Sequence, residues 1–71
     1  MEYGLEKLIK DESWHVRDAV AEQGYGLETL VHDESSSVRA TIAKMGYGLN
    51  ILINDENTWV RGIAEKMLSE V

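Results

Sequence analysis

Apolar residues fall along this chain in two alternating phrases. The first is Leu5, Leu8 and Ile9, which returns as Leu27, Leu30 and Val31 and again as Leu49, Leu52 and Ile53. Spacing of i, i+3 and i+4 puts all three side chains on one side of a helix. It predicts a helix A of about two turns near residues 4–10, 26–32 and 48–54, too short to be stable alone and partly 3₁₀ in character. The second phrase is Val16, Ala19, Val20 and Gln23, repeated as Val38, Thr41, Ile42 and Met45, then as Val60, Ile63, Ala64 and Met67. Its i, i+3, i+4, i+7 order predicts a longer helix B with that stripe as its core face.

Polar residues and glycines punctuate the phrases. Tyr-Gly-Leu opens each helix A, at Tyr3, Tyr25 and Tyr47. Asp-Glu precedes each helix B, at Asp11, Asp33 and Asp55, where a capping carboxylate suits the positive end of the helix dipole. Ser13, Ser35 and Asn57 are equally good caps, which leaves the start open by two residues. Gly24 and Gly46 fit the left-handed position that ends helix B. Leu68 takes that place in the third copy, so the last helix is expected to run on towards Ser69 or Glu70.

The step between copies is 22 residues, giving repeats 3–24, 25–46 and 47–68 within a single domain, 1–71. Two short helices cannot bury their apolar sides within one copy, so the copies must stack into an all-α solenoid. Ala21 and Ala43 lie roughly 140° round helix B from Val16 and Val38, and their small size predicts close approach of a second neighbour. Glu65 stands at the same position in the third copy, as expected of a terminal repeat that turns a polar side to water.

Composition narrows the chemistry. No cysteine is present, so packing alone must stabilise the domain. With 7 basic and 13 acidic residues, net −6, the chain is poorly suited to neutralising phosphate, which argues against nucleic acid and anionic membranes. No N-terminal apolar run supports secretion or a membrane span, and the expected location is cytoplasmic.

The recurring Asp, then Val-Arg, at Asp11, Val16 and Arg17, at Asp33, Val38 and Arg39, and at Asp55, Val60 and Arg61, resembles the signature of HEAT and HEAT-like repeats. The compact segment Asp-Glu-Ser-Trp-His-Val-Arg-Asp-Ala-Val-Ala looks closer still to the leucine-rich repeat variant, which pairs an α-helix with a 3₁₀-like helix. The resemblance covers nearly the whole chain. It implies a short right-handed α-solenoid, an inter-repeat ladder of hydrogen bonds from Arg17, Arg39 and Arg61 and from Asp11, Asp33 and Asp55, and a tendency to bind proteins. Glu12, Glu34 and Glu56 stand where the family often has Pro, and the cysteine cluster of some leucine-rich-variant proteins is missing, so no iron–sulfur role carries over.

Candidate sites are few. His15 and His32 have no ligand partner at metal spacing. The evenly repeated Asp-Glu pairs lack the unlike environments that acid–base catalysis needs, and Ser35-Ser36-Ser37 has no His and acid partner to activate a nucleophile. Neither an enzyme, a metal nor a cofactor is expected. The three Tyr are expected to pack at repeat joints. Trp14, His15 and Trp59 break the repeat, and exposed Trp is a common interface anchor, so these three are the candidate binding residues.

The function expected is a non-enzymatic protein-interaction module or small scaffold that takes a protein or peptide partner, with basic partners favoured by charge. Exposed apolar groups at the two ends, Leu5, Leu8 and Ile9 at one and Met67, Leu68 and Val71 at the other, raise a second reading, self-association through repeat ends or a fragment of a longer array. A third, nucleic-acid binding of the kind some HEAT-like glycosylases perform with a basic concave face, is opposed by the small and dispersed set Lys7, Lys10, Lys44 and Lys66.

Overall fold

A computed structural model gives the protein six helices, α1 (Tyr3–Leu8), α2 (Trp14–Glu22), α3 (Leu27–Leu30), α4 (Ser36–Lys44), α5 (Leu49–Leu52) and α6 (Thr58–Ser69). It describes residues 3–70, and the side chains of all of these except Tyr3, Leu5 and Glu6. The expectations that touch Tyr3, Leu5 and Val71 therefore lie outside the described residues. Among the described residues there is no strand, and the class is all-α.

The short helices are shorter than the apolar spacing predicts. α3 and α5 have four residues each because Gly26 and Gly48 hold left-handed conformations, φ 68° and 64°, immediately before them. At their other ends His32 and Asp33 bond back three residues, to Thr29 and Leu30, and Asn54 and Asp55 repeat this with Ile51 and Leu52. These i to i−3 bonds tighten the last turn into 3₁₀ form and deliver Asp33 and Asp55 to the start of the next helix.

Each long helix begins at Ser13, Ser35 or Asn57 and not at the preceding Asp. The Asp carboxylate instead accepts the backbone N–H two residues on, from Ser13, Ser35 and Asn57, at 2.8, 2.9 and 2.8 Å. This local ring shapes the turn and leaves the second carboxylate oxygen free for a distant donor. Helices α2 and α4 end at left-handed Gly24 and Gly46, φ 81° and 82°. There the N–H groups of Gly24 and Tyr25 bond Ala21 and Val20, and those of Gly46 and Tyr47 bond Ala43 and Ile42, which is a Schellman ending in both cases. With Leu68 in place of Gly, α6 continues to Ser69.

α4 packs between α2 and α6, which do not touch each other. α3 lies against both α2 and α4, and α5 against both α4 and α6. The core side of the long helices is rotated from the expected stripe. Val20 and Ala21, Ile42 and Ala43, and Val60 and Ala64 are buried, whereas Ala19, Gln23 and Met45 are exposed. In α2 and α4 the i+7 position thus faces outward while i+4 and i+5 are buried, whereas in α6 Ile63 at i+3 packs against the core and Glu65 at i+5 is exposed. Leu30, Ile42 and Leu52 fill the centre at 1% exposure or less, each contributing about 1.5–3 kcal/mol by burial.

Close approach explains two glycines. A Cβ on Gly26 would lie 2.9 Å from Ile9 Cγ2, and one on Gly48 would lie 2.8 Å from Val31 Cγ2. The apolar residue ending one short helix is thereby seated on the backbone that opens the next.

Candidate interaction surface

The arginines and aspartates of the repeated segment form one inward-facing arrangement. Arg17 donates from Nε to Asp33 Oδ1 at 2.7 Å and from Nη2 to Asp33 Oδ2 at 3.0 Å, while Nη1 reaches the Asp11 carbonyl at 2.6 Å. Twenty-two residues on, Arg39 does the same with Asp55, at 2.6 and 3.1 Å, and with the Asp33 carbonyl at 2.6 Å. The four side chains are all 11% exposed or less. A planar fork can satisfy a carboxylate and a carbonyl together, which a lysine cannot.

These contacts set the charge states. The hydrogen bonds that Arg17 donates to Asp33 raise its guanidinium above its ordinary value despite the opposing effect of burial. Burial pushes the Asp55 carboxyl up, but the Arg39 hydrogen bond, the Asn57 N–H and the nearby Arg39 and Arg61 charges together leave it below the ordinary carboxylate value. Both groups remain ionised near neutral pH and are committed to each helix junction.

Arg61 and Asp11 depart from this arrangement. Arg61 donates to the carbonyls of Asp55 and Glu56, at 2.9 and 3.3 Å, and to Thr58 Oγ1 at 3.4 Å. Among the described residues it meets no carboxylate, and the Asp11 carboxylate meets no arginine. Glu65 is exposed where Ala21 and Ala43 are fully buried.

The residues that break the repeat, Trp14, His15 and Trp59, are exposed. Trp14 is 39% exposed and stacks on His15, with ring centroids 3.8 Å apart. Trp59 is 52% exposed, and Lys44 of α4 places Nζ 5.9 Å from the centre of its ring. That cation–π contact bridges α4 and α6. Trp14 and Trp59 sit on helices that do not touch, so the structure does not bring them into one cluster. His32 is exposed.

The three long helices carry rows of equivalent positions one 22-residue step apart. Positions His15, Ser37 and Trp59 are equivalent, as are Ala19, Thr41 and Ile63, then Gln23, Met45 and Met67, and last Glu22, Lys44 and Lys66. The row of Glu22, Lys44 and Lys66 is exposed throughout, and so are His15, Trp59, Ala19, Gln23 and Met45, whereas Ser37, Thr41 and Met67 are half-buried and Ile63 packs against the core. From α2 to α6 the first three rows become more apolar, and the charged row changes from acidic to basic. The signal was present in the sequence, as the positions where copies differ.

Among the described residues no group of three metal-ligating side chains and no pocket occurs, and no helix is long and apolar enough to cross a membrane. No protein-family model, no curated protein and no solved structure matches the chain.

Proposed function

We propose that this chain is a non-enzymatic protein-interaction module of the cytoplasm, built as a short right-handed α-solenoid of three two-helix repeats, 3–24, 25–46 and 47–68, of the HEAT-like, leucine-rich-variant kind. The recurrence of one bonding pattern, Arg17 on Asp33 and Arg39 on Asp55, supports the repeat reading. The observation that carries the function is the exposure of Trp14 and Trp59 in the first turns of α2 and α6. Large aromatic groups left in water at about half their area are the usual anchors of interfaces, and they offer little stability where they stand. Arg17, Asp33, Arg39 and Asp55, by contrast, are occupied in holding helix junctions.

The test is capture of partners by the tagged chain against its Trp14→Ala and Trp59→Ala variants. The expected result is loss of capture with unchanged helicity and melting temperature. Equal capture by all three proteins would overturn the assignment of the aromatic residues, and loss of helicity in the variants would return them to a structural role.

A further inference from the structure

The outward side of α2, α4 and α6 is complementary to itself. Its charged row reads Glu22 on α2, Lys44 on α4 and Lys66 on α6, at the same helical height, and all three side chains are exposed. Among the described residues, none of them takes part in an ion pair. The row of His15 and Trp59 runs the same way, from an imidazole on α2 to an indole 52% exposed on α6. One edge is acidic with small side chains, and the other is basic with large ones.

We propose that the chain pairs with a second copy of itself through this side, about a two-fold axis running along α4. This rests on the reading of the chain as an interaction module and names its partner. Rotation about such an axis lays α2 of one copy over α6 of the other without changing height, because the contact is isologous and every pairing occurs twice. Glu22 then faces Lys66, and Trp59 faces His15 and Ala19, where a small residue leaves room for the indole. Met45, 42% exposed, falls near the axis and meets its own counterpart. Lys44 also lies near the axis, and its contact with Trp59 holds it against the aromatic ring and away from its mate. A standard interface takes roughly 800 Å² from each partner, a modest part of the 4617 Å² this chain exposes.

The helix side suits self-pairing better than the repeat ends do. Stacking α6 on another copy as α2 stacks on α4 would need a bare methyl at the position of Ala21 and Ala43, and Glu65 sets a carboxylate there.

The experiment is sedimentation equilibrium of the full chain across micromolar to near-millimolar concentration, at low and high salt. Wild type, Glu22→Lys, Lys66→Glu, the double variant Glu22→Lys with Lys66→Glu, and an equimolar mixture of the two single variants are compared. The expected result is a dimer weakened by salt, a roughly tenfold or greater rise in Kd for each single variant, and recovery in both the double variant and the mixture. Circular dichroism should be the same for all, since the changed groups are exposed. A monomer at every concentration overturns the proposal, and so does a dimer indifferent to the charge exchanges. If the chain is monomeric while Trp14→Ala or Trp59→Ala still abolishes capture of another protein, self-pairing fails and the module reading stands. If neither self-pairing nor capture occurs, both fail.

Discussion

The Arg39 guanidinium lies against the Asp55 carboxylate with two hydrogen bonds, Nε to Oδ2 at 2.6 Å and Nη2 to Oδ1 at 3.1 Å, across a separation of sixteen residues. One bidentate pair thereby joins α4 to the turn that leads into α6. The same turn is shaped from within by the Asn57 N–H on Asp55. A single carboxylate therefore fixes both a local ring and a contact between helices. Arg61 lacks such a partner among the described residues.

Arg39→Ala should therefore be far more damaging than Arg61→Ala. Removing Arg39 leaves Asp55 buried without its arginine, at a cost of about 3–5 kcal/mol, whereas Arg61 is half-buried and bonds mainly the backbone carbonyls of Asp55 and Glu56, worth about 1 kcal/mol. Urea unfolding of the two variants checks the difference. Equal losses would mean that the Asp55 contact adds nothing beyond what Arg61 does alone.

Stability should decline in acid in a way that Asp55 controls. Its carboxyl is held below the ordinary carboxylate value in the folded chain, so the stabilisation is fully present above the unfolded value of about 4 and is lost as pH falls through the lower folded value. The urea midpoint is expected to be flat from neutral pH down to about 5 and to fall below about 4. Asp55→Asn should lower the plateau and make the acid slope shallower.

Two glycines should respond to alanine with opposite sign. Gly48 has φ 64° and a Cβ there would meet Val31 Cγ2 at 2.8 Å, so Gly48→Ala should destabilise by roughly 1–3 kcal/mol. Gly62 lies inside α6 with nothing within 4 Å of a Cβ, so Gly62→Ala should stabilise by about 0.5–1 kcal/mol. Thermal melts of both variants measure the contrast.

Trp59→Ala should leave the fold nearly intact. The indole is 52% exposed, and its contact with Lys44 is at the surface, worth about 0.5–1 kcal/mol. Val60→Ala, one residue on, removes a side chain with 0% exposure and should cost about 1.5–3 kcal/mol. Denaturation of the pair separates the surface position from the core position.

Much of the architecture could be read from the chain because it rests on short-range rules. The 22-residue step, the alternation of a short and a long helix, Gly24 and Gly46 at helix ends and the extension of α6 beyond Leu68 all follow from spacing and from the backbone freedom of glycine. The repeat-breaking residues Trp14, His15 and Trp59 could likewise be picked out by comparing the copies.

What the spacing misjudged was decided by packing. The i, i+3, i+4, i+7 reading put Ala19, Gln23 and Met45 in the core, yet they are exposed, while Ala21 and Ala43, off that stripe, are fully buried and Ile63 keeps its place against the core. A moderately apolar helix offers more than one side to bury, and only its neighbours choose between them. The choice of Ser13, Ser35 and Asn57 as helix starts follows from the same cause, since each Asp is needed at the turn and two of the three also receive an arginine.

The sequence by itself therefore determined the class, the repeat length and the identity of the unusual residues, all set within a few residues of chain. The tertiary structure alone decided which carboxylate each arginine meets and which side of α2, α4 and α6 faces water, because those depend on groups sixteen or more residues apart.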